Sequence, residues 1–379
     1  MRETRFSISY FRDVDAILNQ TCGVEFTGAV ARIEHHGKLV FEKAYGVTRA
    51  DELARPVYCD TAFDLASLTK LFVATLALQA VAEEKLELDR PLVDVITEWR
   101  TTPHAAITAR MLLAHNSGMD SGADYRTILN ENVERFALKA ELLAKPGERV
   151  IYSDLGFIAL GIVIERVTAQ SLPTLVRKSF SPSLQYRPRA EQRLDIPATE
   201  DDGWRGRVQG FVHDEKAYLM GGAAGHAGLF GTAADVAALT EIYLDAKAAV
   251  LTGAREPRAV EEQRMELPTG LALEAITEQA YDPVLRRGLG WALKTNDDNS
   301  CGRLMDYSSF GHTGFVGTCV WADPARDLQG VLLTNAVYFG RDTAPTSEQS
   351  LRQRLYEAMV YCITLNPSTT LGTGSVEGC

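Results

Sequence analysis

The sequence predicts an α/β protein whose sheet is built from both ends of the chain, with a mostly helical middle. Strand-like runs cluster near residues 27–45 and again at 289–334. Between them, from about 85 to 215, helical periodicity and loops replace the alternation of side chains. No internal repeat interrupts this plan.

Residues 8–21 have Phe11, Val14, Ile17 and Leu18 at helical spacing and open the chain as a helix. Thr27–Glu34, rich in small and β-branched residues, and the alternating Lys38–Tyr45 are strands. His35-His36-Gly37-Lys38 joins them as a hairpin turn. The two adjacent histidines have no third ligand in view, so a turn is expected there rather than a metal site. Residues 66–84 form an apolar helix, with Asp64 placed to cap its entrance. Thr108 caps a short helix through Leu113, which Asn116-Ser117-Gly118 ends. Residues 131–143 and 155–168 are helical, with a turn at Pro146-Gly147 between them. Residues 181–207 are arginine-bearing and aperiodic.

Gly221-Gly222-Ala223-Ala224-Gly225 is too glycine-rich for a helix interior. Thr232 then caps a helix to about Ala246. Strands follow at Leu289–Lys294, Ser309–His312, Phe315–Ala322 and Gly330–Thr334, and 347–363 form a closing amphipathic helix. The expected organisation is a sheet domain of residues 1–84 and 216–366, a helical domain of 85–215, and a disordered Gly/Ser/Thr-rich tail at 367–379.

A chain of 379 residues can bury a substantial core without metals or disulfides. Its 46% hydrophobic and 23% charged residues are ordinary for a globular protein, which excludes disordered and fibrous classes. The net charge of −11 disfavours nucleic acid and anionic membranes as partners, since both are polyanions. The six cysteines form no CxxC pair and no zinc spacing, so scattered free thiols and a reducing compartment are expected. No apolar stretch follows Met1-Arg2-Glu3-Thr4-Arg5, and no run approaches about 20 apolar residues. A cytoplasmic protein is the expectation. Walker and dinucleotide fingerprints are absent, as is the GxSxG elbow, and no cofactor is expected.

Three short motifs carry chemistry. In Ser67-Leu68-Thr69-Lys70, i,i+3 spacing at a helix start puts a hydroxyl and an amine on one face, about 5–6 Å apart at Cβ. A serine hydroxyl needs an adjacent base to act as a nucleophile. The helix start offers free N–H groups to an oxyanion. In Tyr152-Ser153-Asp154, a phenol near a lysine can pass protons. In His312-Thr313-Gly314, the glycine lets a substrate approach a strand edge, and the Phe315 N–H can join that of Ser67 at the oxyanion. Taken singly, each has a plain structural counterpart: a chance SxxK, a core tyrosine, a hairpin turn. Their chain order makes the conjunction far more specific. His115, His213 and His226 lie in loops without a zinc pattern and are read as hydrogen-bonding residues, with no metal.

This order resembles the serine hydrolase family of class C β-lactamases, penicillin-binding D,D-peptidases and related esterases and transesterases. Phe63–Lys70 is similar to its nucleophile motif, and Ile107–Met119 to its structural helix-and-loop motif. Val212-His213-Asp214-Glu215 and Gly221–Phe230 resemble a signature of one peptidoglycan-processing branch, and Phe310–Phe315 the third motif. The likeness spans roughly residues 25–340.

The resemblance implies an antiparallel sheet covered by helices, a helical domain beside it, and an active site in the cleft between them. It also implies a Ser67 acyl-enzyme, with Lys70 and Tyr152 sharing acid and base work. Asp154, His312, Thr313, Gly314 and Phe315 would contact the substrate or its oxyanion. Three positions depart from the pattern. Asp154 replaces an asparagine and can pair with Lys70, which would shift the base role to Tyr152. His312 replaces a lysine and is a weaker, pH-dependent carboxylate anchor. Lys216 stands where the branch has asparagine. The expected substrate is a small ester, amide or β-lactam-like molecule. The alternatives are a D,D-peptidase on peptidoglycan fragments, an acyltransferase using the same residues, and a non-catalytic binding relative. Oligomeric state is not legible.

Overall fold

A computed structural model describes residues 10–122, 124–252, 265–281, 283–341 and 350–365. The first part runs α1 (Arg12–Thr21), β1 (Gly28–His35), β2 (Lys38–Gly46), β3 (Phe63–Asp64) and α2 (Thr69–Ala82). The middle holds α3 (Ala109–Leu113), α4 (Val133–Lys139), α5 (Asp154–Thr168), α6 (Leu172–Ser179), β4 (Gln185–Tyr186), β5 (Asp201–Asp202) and β6 (Gly206–Arg207). Then come α7 (Glu215–Leu219), β7 (Leu229–Gly231), α8 (Ala233–Thr252), α9 (Thr269–Ala275), β8 (Arg286–Arg287) and β9 (Ala292–Leu293). The last elements are β10 (Phe310–Thr313), β11 (Cys319–Asp323), β12 (Leu328–Thr334) and α10 (Leu351–Leu365).

Seven strands form one sheet in the order β2-β1-β12-β11-β10-β9-β8, with every neighbouring pair antiparallel. Chain ends therefore meet in the sheet centre, where β1 pairs with β12 from Ala29↔Thr334 to His35↔Leu328. Side chains alternate between two cores, as the two-residue period of a strand dictates. Ala29, Ala31, Ile33, Cys319, Trp321, Leu328 and Leu332 pack toward α1 and α10. Val30, Val320, Ala322, Val331 and Leu333 pack on the other face, which α8 covers. A sheet buried on both faces needs apolar residues in both phases, and all seven residues of β12 are buried. The predicted helix-covered antiparallel sheet is the observed architecture.

Several local expectations are met. His36 (φ +52°) and Gly37 (φ +65°) form the two-residue turn of the β1–β2 hairpin, and His36 Nδ1 meets Asp327 Oδ2 at 3.1 Å. Thr108 and Thr232 cap α3 and α8 through their hydroxyls.

Others need correction. The strand expected from Phe315 begins only at Cys319, because Gly314 N–H donates to Thr318 O at 2.7 Å and closes a turn first. The 289–294 strand shrinks to β9, since Gly290 (φ +83°) breaks it. The 131–143 helix shrinks to α4. The aperiodic 181–207 segment contains β4, which joins β3 and β7 in a small sheet, and the β5–β6 pair. Cys22, Cys301, Cys319 and Cys362 are free, but Cys59 is disulfide-bonded, so six free thiols is wrong. Pairing depends on Cα separation, which sequence spacing does not report. The 367–379 tail lies outside the described residues. Among the described residues, no single helix is long and apolar enough to cross a membrane.

Candidate active site

The carboxylate of Asp64, at the end of β3, accepts the Ala66 N–H at 2.8 Å and the His213 N–H at 2.7 Å. This pins a tight elbow. Ala66 has φ +47°, a region costly for any residue with a Cβ. Ala66–Leu68 then form a 3-10 turn leading into α2. Ser67 lies in this first turn, where an N–H has no acceptor within the helix.

Lys70 follows on the same face and is fully buried. Its Nζ donates to Ser67 Oγ at 3.0 Å, Asp154 Oδ1 at 2.8 Å and His226 O at 3.1 Å. The ammonium also stands 4.9 Å from the centre of the Tyr152 ring. Burial opposes its charge, but Asp154 and Tyr152 outweigh that and hold its pKa above the ordinary lysine value.

Tyr152 precedes α5, which Ser153 caps by accepting the Gly156 N–H at 2.7 Å. His115 Nδ1 lies 3.1 Å from the Ser153 N–H, and its ring packs on Tyr152 at 4.7 Å. On the other side, the Arg287 guanidinium sits 5.2 Å from the Tyr152 ring centre. Two cations thus flank the phenol.

Asp154 lines the cleft, but both of its oxygens are engaged. Oδ1 accepts from Lys70, and Oδ2 lies 3.4 Å from Lys216 Nζ. Asp154 therefore has an ion-pair role at the cleft wall, of which the sequence offers only the pairing with Lys70. Lys216 Nζ also stands 3.7 Å from Asp214 Oδ2, while His226 Nε2 is 2.7 Å from Asp214 Oδ1. Burial works against charge on Asp154, but Lys70, His226 and Lys216 hold its carboxyl below the usual range. Burial likewise opposes charge on Asp214, yet His226 and Lys216 hold it well below that range. Asp154, Asp214 and His226 approach within 4.8 Å, as metal ligands would. Two ammonium groups already balance those carboxylates, so the geometry is that of an ion-pair network. His226 reaches Lys70 because Gly225 lies against α5. A Cβ there would meet Phe157 O at 2.0 Å.

The third motif faces Ser67 across the cleft. A Cβ on Gly314 would meet Thr318 Oγ1 at 2.0 Å and Leu65 O at 2.9 Å, so only glycine lets β10 approach the elbow this closely. Thr318 Oγ1 donates to Leu65 O at 3.1 Å and ties the two together. β9 pairs with β10 only at Phe310 and Gly311, which leaves the His312–Thr313 edge beyond β9. Phe315 follows, with its ring exposed and stacked on His213 at 5.6 Å.

His312 corrects an expectation. It is buried, and burial, Arg287 and Lys70 push its pKa down to about 3. It is neutral near pH 7 and does not titrate there. Its folded pKa lies below the unfolded value of about 6.5, so between these values the unfolded chain binds more protons. The stability His312 contributes is complete above about pH 6.5 and is lost as pH falls toward 3. Denaturant titrations from pH 7 to 4 should show His312→Gln losing stability less steeply than wild type, by up to about 1.4 kcal/mol per pH unit. Parallel slopes would refute a neutral buried imidazole.

All eight residues singled out in the three motifs come together here, seven of them lining one cleft of about 660 Å³ and Lys70 lying beneath Ser67. Sequence reasoning missed Arg287, Arg341 and Arg352, which line the same cleft. They come from β8, the turn after β12, and α10, and no motif marks them. Arg352 donates to Gly314 O at 2.8 Å. Asp214, Lys216 and His226 lay inside a visible signature, but their joint contact with Lys70 and Asp154 did not.

With this geometry in hand, comparison with known proteins is informative. The Beta-lactamase family model matches residues 18–353. An N-acetylmuramyl-L-alanine amidase of Bacillus subtilis (strain 168) is 28% identical, over 94% of this chain and 90% of that protein. A candidate D-alanyl-D-alanine carboxypeptidase of Escherichia coli O157:H7 is 27% identical, over 93% and 87%. The solved structure of EstCE1, a hydrolase with promiscuous acyltransferase activity, superposes with a TM-score of 0.71 at 20% identity, over 93% of this chain and 98% of that one. At that identity the superposition speaks for the fold alone.

Proposed function

The chain belongs to the Beta-lactamase family of serine hydrolases, and from that premise we propose that it cleaves an ester or amide through an acyl-enzyme on Ser67. The observation that carries this is the 3.0 Å contact between Ser67 Oγ and the buried Lys70 ammonium, at a helix start that opens on the cleft. Asp154 keeps Lys70 charged, so Lys70 orients Ser67 and Tyr152 accepts the serine proton. Tyr152 does so as the phenolate, which the cations of Lys70 and Arg287 beside its ring stabilise before the proton arrives.

Ser67 Oγ attacks the carbonyl carbon, and the N–H groups of Ser67 and Phe315 receive the oxyanion. Tyr152 returns its proton to the leaving alcohol or amine as the C–O or C–N bond breaks. Water then attacks the acyl carbon, losing its proton to Tyr152, which passes it to Ser67 Oγ as the Oγ–C bond breaks and the acid leaves. An extended substrate lies along the open His312–Thr313 edge, with Gly314 beneath it.

A second reading is a D,D-peptidase acting on peptidoglycan fragments. It is favoured by the names of the amidase and carboxypeptidase relatives and by Arg287 and Arg352 in the cleft, which suit a carboxylate-bearing substrate, Arg341 being already paired with Glu200 and Glu215. With His312 neutral, that anchoring falls to arginine.

Intact mass before and after incubation with a fluorophosphonate, and separately with a penicillin, tests both readings. One adduct on Ser67 from each reagent is the expected result and favours a β-lactam- and peptide-competent cleft. An adduct from the fluorophosphonate alone moves the substrate to simple esters or to acyl transfer. No adduct from either overturns the proposal.

A further inference from the structure

Lys70, Asp154, Lys216, Asp214 and His226 form a closed ring of contacts. Asp154 bridges the two ammonium groups, Asp214 bridges Lys216 and His226, and the His226 carbonyl returns to Lys70. Two carboxylates thus face two ammonium groups and the His226 imidazole. Remove Lys216 and the two carboxylates keep one fewer cation beside Lys70, at a cleft wall where Asp154 and Asp214 are only partly exposed and screening is weakened.

From this ring we infer that Lys216 is a positioning residue for the Ser67 site: it neutralises the second oxygen of Asp154, so that Tyr152 can lose its phenolic proton and stand ready to accept that of Ser67. The inference rests on the hydrolase reading above. It also gives a physical reason for Asp154 and Lys216 to occur together. An aspartate beside Lys70 adds a charge that an asparagine would not, and Lys216 cancels it.

Other charges facing Lys70 are accounted for. Tyr152 lies over it, while Arg287 from β8, His312 from β10 and His115 from the loop after α3 surround the phenol. His115 and His312 are hydrogen-bonded elsewhere, to the Ser153 N–H and the Thr313 carbonyl, and it is the Lys216 ammonium that lies near both carboxylates, 3.4 Å from Asp154 and 3.7 Å from Asp214. Thr69, Leu71 and their neighbours on α2 bring no further charge.

The test is the pH dependence of the rate at which a fluorophosphonate labels Ser67 in the full-length protein. In Lys216→Met the midpoint of the alkaline rise should move up by roughly one pH unit, the usual effect of losing a nearby cation, with about a tenfold slower reaction at pH 7. Lys216→Arg should stay near wild type. The double variant Asp154→Asn/Lys216→Met removes one charge of each sign and should return the midpoint to near the wild-type value. Asp154→Asn alone should lower the midpoint, and it reports on the same balance if Lys216→Met does not fold.

A lysine that only packs would slow or destabilise the protein without moving the profile, and Asp154→Asn would not rescue it. An unmoved midpoint in Lys216→Met, or a double variant as shifted as the single one, overturns this inference alone. Failure of the wild-type protein to label on Ser67 overturns the hydrolase reading as well.

Discussion

Ser67→Ala should lose covalent labelling entirely and turnover by about 10⁴-fold or more, while its melting temperature moves by only about 1–2 °C. The two halves of this result have different causes. Oγ is the proposed bond-forming atom, and it is the serine hydroxyl held at 3.0 Å from the Lys70 ammonium. Structurally, Oγ contributes one hydrogen bond from Lys70, worth about 1 kcal/mol net. Lys70 keeps its stronger partners, Asp154 and the His226 carbonyl. A variant that still turned over substrate would remove Ser67 from the mechanism. One that lost activity by unfolding would show it as a large fall in melting temperature.

Asp154→Ala should cost about 3–5 kcal/mol of folding stability, the range seen when one partner of a buried ion pair is deleted. Lys70 is wholly inaccessible to solvent, so losing Asp154 takes from its ammonium the carboxylate that accepts from it at 2.8 Å. Lys216 would then face Asp214 alone. Asp154→Asn keeps a hydrogen-bond acceptor for Lys70 and should lose far less. Urea denaturation at pH 7 separates the two. If Asp154→Ala lost under about 1 kcal/mol, Lys70 would have to be neutral in the folded protein, and the charge assigned to it here would be wrong.

Some of this was legible one residue at a time. The Ser67–Lys70 spacing fixes a shared helical face wherever the helix lies. His36-Gly37 fixes its own hairpin because only certain residues adopt positive φ cheaply. The split sheet was legible because strand periodicity sits at the two ends of the chain. The boundaries of β9 and β11 were not, because Gly290 and the Gly314–Thr318 turn act through backbone geometry that side-chain alternation does not report.

Sequence by itself determined the motif set, the local geometry of Ser67 and Lys70, and the antiparallel sheet fed from both termini. Only the tertiary structure decided the electrostatics. Asp154 is a substrate-binding candidate in the sequence and an ion-pair bridge in the fold, because Lys70 and Lys216 arrive from α2 and α7 to occupy both of its oxygens. His312 is a pH-sensitive anchor in the sequence and a neutral imidazole in the fold, because burial beside Arg287 and Lys70 penalises its protonated form. Arg287, Arg341 and Arg352 enter the cleft from three separate segments. Charge interactions act through space and depend on burial, and neither the distances nor the burial is written in the order of residues.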